Sequence, residues 1–296
     1  MTARVKAAAV LLAACLLAAL TAGGAPSFPG RDGLIAFQSG RDGDMEVFVI
    51  QPSGNGLRQL TRNRVDDIQP AWSPDGRRIA FTRARGRQLE LWVMDADGTD
   101  QRRLTRGNED SSPAWDGLGY QLAFESKRSG RYAVYVIAAD GTGLRRVTGG
   151  RGDSEPAWSP DGGSIAFARS AGSNQDVFVL DPSDRIRRLT ASGGADLNPS
   201  WHPLGTAIAF ESNRGGSFDV WVMDDDGSRE RRLTSARVHE FGPAWSPRGD
   251  RIAFASARII HGNPDLYVVR ANGGGRRRLT SHPAADFNPD WQPLPR

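Results

Sequence analysis

The sequence predicts an all-β fold: a six-bladed β-propeller of four-stranded antiparallel blades, closed by pairing of the C-terminal strand with the N-terminal blade. Three recurring phrases predict it. Pro-x-Trp stands at Pro70-Ala71-Trp72, Pro113-Ala114-Trp115, Pro156-Ala157-Trp158, Pro199-Ser200-Trp201, Pro243-Ala244-Trp245 and Pro289-Asp290-Trp291. An aliphatic-Ala-Phe phrase ends at Phe37, Phe81, Phe124, Phe167, Phe210 and Phe254, and a Leu-Thr or Val-Thr pair ends at Thr61, Thr105, Thr148, Thr190, Thr234 and Thr280. The phrases keep one order at a spacing of about 43 residues, the length of a propeller blade.

The first 25 residues stand apart from this repeat. Arg4 and Lys6 precede an apolar run from Ala7 to Leu20, and small residues follow up to Pro26. This is the layout of a secretory signal peptide, so residues 1–25 are expected to be removed and 26–296 to form the propeller. The run is too short for a permanent membrane span. Leu12-Ala13-Ala14-Cys15 also fits a lipoprotein box, which would anchor the chain through Cys15. Either way the exported body has no cysteine, and disulfides and thiol chemistry are excluded from it.

Within each unit, Pro-x-Trp opens the first strand, and a turn such as Ser73-Pro74-Asp75-Gly76 follows. The second strand carries Ile-Ala-Phe. The third is apolar on both faces, as in Leu91-Trp92-Val93-Met94, which suits sheets stacked face to face. An Asp-Gly turn then leads to an arginine-rich fourth strand, Arg102-Arg103-Leu104-Thr105 in the second unit. The central alanine allows neighbouring sheets to approach, and each tryptophan fills the gap between them. Past the leader the repeat begins at a second strand and ends on a lone first strand, so one blade must be shared by the two ends.

The phrase Pro-Ala-Trp-Ser-Pro-Asp-Gly-x-x-Ile-Ala-Phe at residues 70–81 and 156–167 resembles the repeat of the TolB-type β-propeller family, and the resemblance runs from Gly33 onward. It covers the propeller only; no counterpart of the α/β domain that precedes it in full-length members is visible. Individual turns depart as well, at 116–119, 202–205 and 246–249. The resemblance implies a periplasmic or extracellular propeller that docks proteins or peptides.

Charge placement suggests where docking occurs. The net charge is +4, carried almost wholly by arginine. The residue three before each motif proline is acidic: Asp67, Asp110, Asp153, Asp196, Glu240 and Asp286. All six fall in the links between blades, where they are expected to ring the channel mouth on one face, here called the top, and to hold a hard cation such as calcium or a basic partner. The alternative is a ring of salt bridges, because Arg41, Arg85, Arg128, Arg214 and Arg258 stand four residues after five of the six phenylalanines. Ala171 replaces the sixth arginine, so the most negative place is expected at Asp153 and Glu155.

Histidines are few. His239 and His282 fall in adjacent links beside Glu240 and Asp286, which makes those four the candidate metal ligands of a lyase- or lactonase-type enzyme at the channel mouth. His202 and His261 read as surface residues. There is no Gly-x-Ser-x-Gly elbow, His-Glu-x-x-His or phosphate-binding loop. The arginines of the fourth strands could protect exposed sheet edges or rest on anionic envelope polymers. Nucleic acid is not expected, for want of a stacking platform. The sequence thus predicts an exported, monomeric, non-catalytic scaffold for protein or peptide binding at the cell envelope, with the metal enzyme and the polymer binder as alternatives.

Overall fold

The computed structural model describes residues 30–150, 152–171, 174–258 and 262–295. The signal-peptide and Cys15 expectations and His261 lie outside them. Six four-stranded antiparallel sheets are arranged in chain order. Blades 2 to 6 are contiguous, with inner strands Asp66–Trp72, Ser111–Trp115, Asp153–Trp158, Asp196–Trp201 and His239–Trp245. Blade 1 takes its inner strand, Asp286–Leu294, from the C-terminal end and its other three from residues 31–59. Ile35 lies opposite Trp291 and Ala36 opposite Asp290 across that seam, so the predicted closure is present.

Strand periodicity explains the Ile-Ala-Phe phrase. Alternate residues point to opposite faces of a sheet, so Ile and Phe share one face and the alanine takes the other. Ile35 and Phe37 of blade 1 pack with Ala253 and Leu266 of blade 6. Ala36 on the reverse face meets Trp72, Ile79 and Phe81 of blade 2. A large face thus meets a small one around the ring, and all six phenylalanines are fully buried. Each such burial is worth about 2–3 kcal/mol.

The terminal threonines have an equally local cause. Thr61 Oγ1 accepts from Val47 N at 2.8 Å, and Thr105, Thr148, Thr190, Thr234 and Thr280 accept from the matching amide of their own third strands at 2.9–3.0 Å. A buried amide at the start of the third strand is satisfied this way in every blade. Tryptophans link blades: the indoles of Trp115, Trp201 and Trp291 donate to Ala71, Ala157 and Ala244 carbonyls of the preceding blade, each at 3.1 Å.

The links between blades share the top face with the hairpins joining second and third strands. Asp67 N donates to Met45 O at 2.6 Å, Asp110 N to Leu89 O at 3.1 Å and Glu240 N to Phe218 O at 2.9 Å, each tying a link to the hairpin before it.

Candidate functional site

The structure places the six predicted link carboxylates beneath the top surface. Asp67, Asp110, Asp153, Asp196, Glu240 and Asp286 are all fully buried, and each forms an ion pair. Arg83 grips Asp67 through two bonds of 2.7 Å, and Arg169 grips Asp153 at 2.6 and 3.0 Å. Arg128 meets Asp110 at 2.7 Å, Arg214 meets Asp196 and Arg41 meets Asp286 at 2.8 Å, and Arg276 meets Glu240 at 3.0 Å. Each guanidinium also lies over aromatic rings of its own blade, as Arg83 does over Trp92 and Arg276 over Tyr267 at 4.3 Å from the ring centroids. The six carboxylates thus form the ring of salt bridges, the alternative to a cation- or partner-binding ring, and it is buried, since a carboxylate stripped of water needs a partner charge.

Arg83, Arg169 and Arg276 replace the expected Arg85, the arginine missing at 171, and Arg258. Residues two and four after a phenylalanine share one face of a strand, so a long arginine reaches the same aspartate from either place. Where the nearer position is serine, it accepts from the arginine that pairs the carboxylate: Arg41 Nε to Ser39 at 2.8 Å, Arg128 to Ser126 and Arg214 to Ser212 at 2.9 Å, and in blade 6 Arg276, which stands just before the fourth strand, to Ser256 at 2.8 Å. The negative spot expected at Asp153 and Glu155 does not form, because Arg169 neutralises Asp153.

Glu155 belongs elsewhere, on the wall of the central channel. That cavity has a volume of about 450 Å³ and is lined by the six Pro-x-Trp phrases and, at its lower end, by prolines such as Pro74, Pro160 and Pro293. Every residue just before a motif proline has left-handed backbone: Gln69, Ser112, Glu155, Asn198, Gly242 and Asn288, with φ of 49–55°. Each sits at a register shift in its inner strand, which frees its amide from the ladder.

Five of the six freed amides are bonded across blade boundaries. Gln69 N donates to Gln38 Oε1 at 2.9 Å, Ser112 N to Gln69 Oε1 at 3.1 Å and Glu155 N to Glu125 Oε2 at 3.1 Å. Asn198 N donates to Glu155 Oε2 at 2.8 Å, and Gly242 N to Glu211 Oε2 at 2.6 Å. Within blade 1, Asn288 donates its side-chain amide to the same Gln38 Oε1 at 2.9 Å. Burial, with Glu211 and Glu125 close by, pushes the Glu155 carboxyl up to about 8, and burial pushes Glu211 up to about 7. Asp290, which binds Trp72 N at 2.6 Å, is raised to about 7 for the same reason. Glu155 of blade 4 and Glu211 of blade 5 thus favour their protonated forms well above the ordinary carboxyl range.

This belt carries a two-blade period that sequence reasoning missed. Blades 1, 3 and 5 read Phe-Gln/Glu-Ser-x-Arg, at Phe37, Phe124 and Phe210; blades 2, 4 and 6 put Thr82, Ala168 or Ala255 after the phenylalanine. From blade 1 to blade 5 the long acceptor alternates between that position, at Gln38, Glu125 and Glu211, and the residue before the proline, at Gln69 and Glu155; blade 6 has Gly242 there and breaks the alternation. The signal was readable as a doubling of the repeat.

The structure does not bring three ligand atoms of His239, Glu240, His282 and Asp286 within 4.8 Å of one another. His239 Nδ1 accepts from Phe218 N at 3.3 Å with its ring near Phe218 and Phe241. His282 Nδ1 accepts from Ala284 N at 3.1 Å, and both carboxylates are engaged by Arg276 and Arg41. Among the described residues, the group whose ligand atoms lie within 4.8 Å of one another is Asp42, Asp44 and Glu46, on the first top hairpin. These three are the set that could hold a hard cation. Asp44 Oδ2 lacks a partner, while Glu46 accepts from Asn63 N at 2.5 Å and is raised by burial to about 7.

The fourth-strand arginines serve the ring. Arg102 reaches the Ala139 carbonyl of the next blade at 2.7 Å, and Arg231 reaches Ala271 at 2.8 Å. Arg188 and Arg232 pair with Asp176 and Asp219 at 2.7 Å.

Comparison with known proteins agrees with this architecture. The profile of the TolB beta propeller domain family matches residues 68–155 and 151–254. The Tol-Pal system protein TolB of Anaeromyxobacter sp. (strain K) is 42% identical over 76 residues, 26% of this chain and 17% of that protein. A protein TolB homolog of Chlorobium luteolum is 36% identical over 72 residues, 24% of this chain and 16% of its own length. The match thus spans less than a fifth of these curated relatives. Among solved structures, TolB from Acinetobacter baumannii superposes with a TM-score of 0.78 at 20% identity, covering 98% of this chain and 73% of that one. The putative TolB from Agrobacterium tumefaciens gives 0.73 at 20% identity, over 88% of this chain and all of the other. No helix among the described residues is long and apolar enough to cross a membrane. The six blades, their Pro-x-Trp repeats and the profile match together establish that the chain belongs to the TolB β-propeller domain family.

Proposed function

We propose that this protein is an exported, monomeric scaffold of the cell envelope whose top face, at the mouth of the central channel, receives a segment of a protein partner. The observation that carries this reading is the channel itself. A cavity of about 450 Å³ ends in a belt of amide and carboxyl oxygens held by bonds between blades. Such oxygens suit the N–H groups of an inserted peptide, and a wall built from six packed sheets loses little freedom on binding. Its relatives are named for the Tol-Pal system, which supports an envelope setting.

The test is capture of envelope proteins by the full mature chain, followed by hydrogen-exchange mapping of the complex formed. Protection is expected at links 62–67, 106–112, 191–198 and 236–242. Absence of any stoichiometric partner, or protection confined to the bottom turns, would overturn the reading.

A further inference from the structure

With its acidic ring buried, the charge that the top face shows to water has the opposite sign. Arg85 and Arg87 stand exposed on the top hairpin of blade 2, Arg106 on the link from blade 2 to blade 3, and Arg131 on the top hairpin of blade 3. Among the described residues none of these four takes part in an ion pair. Arg62 and Arg64, also exposed, extend the patch along the preceding link. The anion in their midst is Glu109, which accepts from Lys127 at 3.1 Å and from the Tyr132 hydroxyl at 2.6 Å, so its charge is already engaged. Arg87 is close enough to help hold the Glu109 carboxyl below its ordinary value.

These groups are gathered around a hollow. Arg87, Arg106 and Lys127, with Gln88, Asn108 and Glu109, line a cavity of about 540 Å³ between the two blades. Its wall is a turn in which Gly107, Asn108 and Glu109 are all left-handed, at φ of 58, 116 and 54°. Conformations of this kind cluster at ligand clamps. Lys127 N, bonded to Asn108 O at 3.1 Å, ties the turn to the neighbouring hairpin. The far side differs. The link 191–195, Ala-Ser-Gly-Gly-Ala, is uncharged, and Arg214 on the adjacent hairpin is paired with both Asp196 and Glu230.

We infer that the top of blades 2 and 3 is a docking surface for an acidic peptide segment, one rich in aspartate or glutamate, of the partner proposed above. Guanidinium groups present planar forks matched to carboxylates, and every unpaired cation of this sector is arginine. A flat anionic membrane would press on the whole top face, including its uncharged side, whereas the unpaired arginines are densest on blades 2 and 3, around a concave pocket, with Arg237 and Arg258 standing apart on the side of blades 5 and 6. A long polyanion wants a continuous basic track, and the neutral links interrupt one. The amides of Gln88 and Asn108 give a peptide backbone further partners. This inference rests on the scaffold reading and adds the chemistry of what the scaffold holds.

The test is binding of a fluorescent peptide of alternating glutamate and glycine to the full mature chain, beside its glutamine counterpart and a sulfated oligosaccharide of equal charge. The glutamate peptide is expected to bind, to weaken several-fold as salt rises, and to lose at least about tenfold in affinity when Arg87→Glu and Arg106→Glu are combined, a figure in the range of one charge-assisted contact. Arg237→Glu, an exposed change on the link between blades 5 and 6, is the control and should leave binding intact. Equal binding of the glutamine peptide, preference for the oligosaccharide, or indifference to the paired reversal would overturn the inference. A partner captured from the envelope with unchanged affinity for the double variant sinks this surface and spares the scaffold reading. Peptide binding without any captured partner does the reverse.

Discussion

The Asn198 amide of blade 5 donates to Glu155 Oε2 of blade 4 at 2.8 Å, so a channel carboxyl with its value raised to about 8 serves as a stitch between two sheets. The folded state favours its protonated form, whereas in the unfolded chain it returns toward its ordinary 4.5. Between those values the folded chain binds the extra proton, and stability falls as pH rises. Glu211, raised to about 7, adds to the same trend. Thermal unfolding should therefore occur at higher temperature near pH 5.5 than near pH 8.5. Glu155→Gln keeps an acceptor for Asn198 and removes the proton dependence, so it should narrow that difference. A wild-type profile unchanged across this window would contradict the assignment.

Arg169 and Arg85 make a matched comparison. Asp153 is fully buried and has Arg169 as its partner, whereas Arg85 is exposed on its hairpin. Arg169→Ala should cost about 3–5 kcal/mol, the range for an orphaned buried charge. Arg85→Ala should stay within about 0.5 kcal/mol. Denaturant titrations of the two variants check this; equal losses would mean that the buried ring is not the stabilising feature.

Ring closure depends on the last strand. Trp291 is buried against blade 6 and bonded to Ala244 O at 3.1 Å. Trp291→Ala should cost about 3–5 kcal/mol, and deletion of residues 284–296 should abolish the cooperative transition in calorimetry. Retention of a single sharp transition by the truncated chain would disprove closure as the source of cooperativity.

Gly76 and Gly86 have nearly the same left-handed φ, 67 and 64°. A Cβ at Gly76 would overlap the Pro293 carbonyl of the closing strand, while at Gly86 it would meet open space. Gly86→Ala should cost about 1 kcal/mol, the backbone cost alone, and Gly76→Ala distinctly more. The difference between their unfolding midpoints measures how tightly blade 1 and blade 2 abut.

The blade count, the four strands and the shared first blade follow from sequence alone, because each is a matter of period and order. Ile-Ala-Phe must put its alanine opposite its large residues, and the phase of the repeat calls for one blade shared between its first and last strands, which the pairing of Ile35 with Trp291 supplies. Burial and pairing were decided by tertiary structure. The six link carboxylates are spaced as a ring, yet only the packed blades show that the ring lies under the surface and that Arg83 and Arg169, not Arg85, complete it. Glu155 sits two residues from Asp153 but faces the channel, since a left-handed residue at a bulge turns its neighbours away from strand alternation. Such choices depend on which charges share a low-dielectric space, and linear spacing does not contain that information.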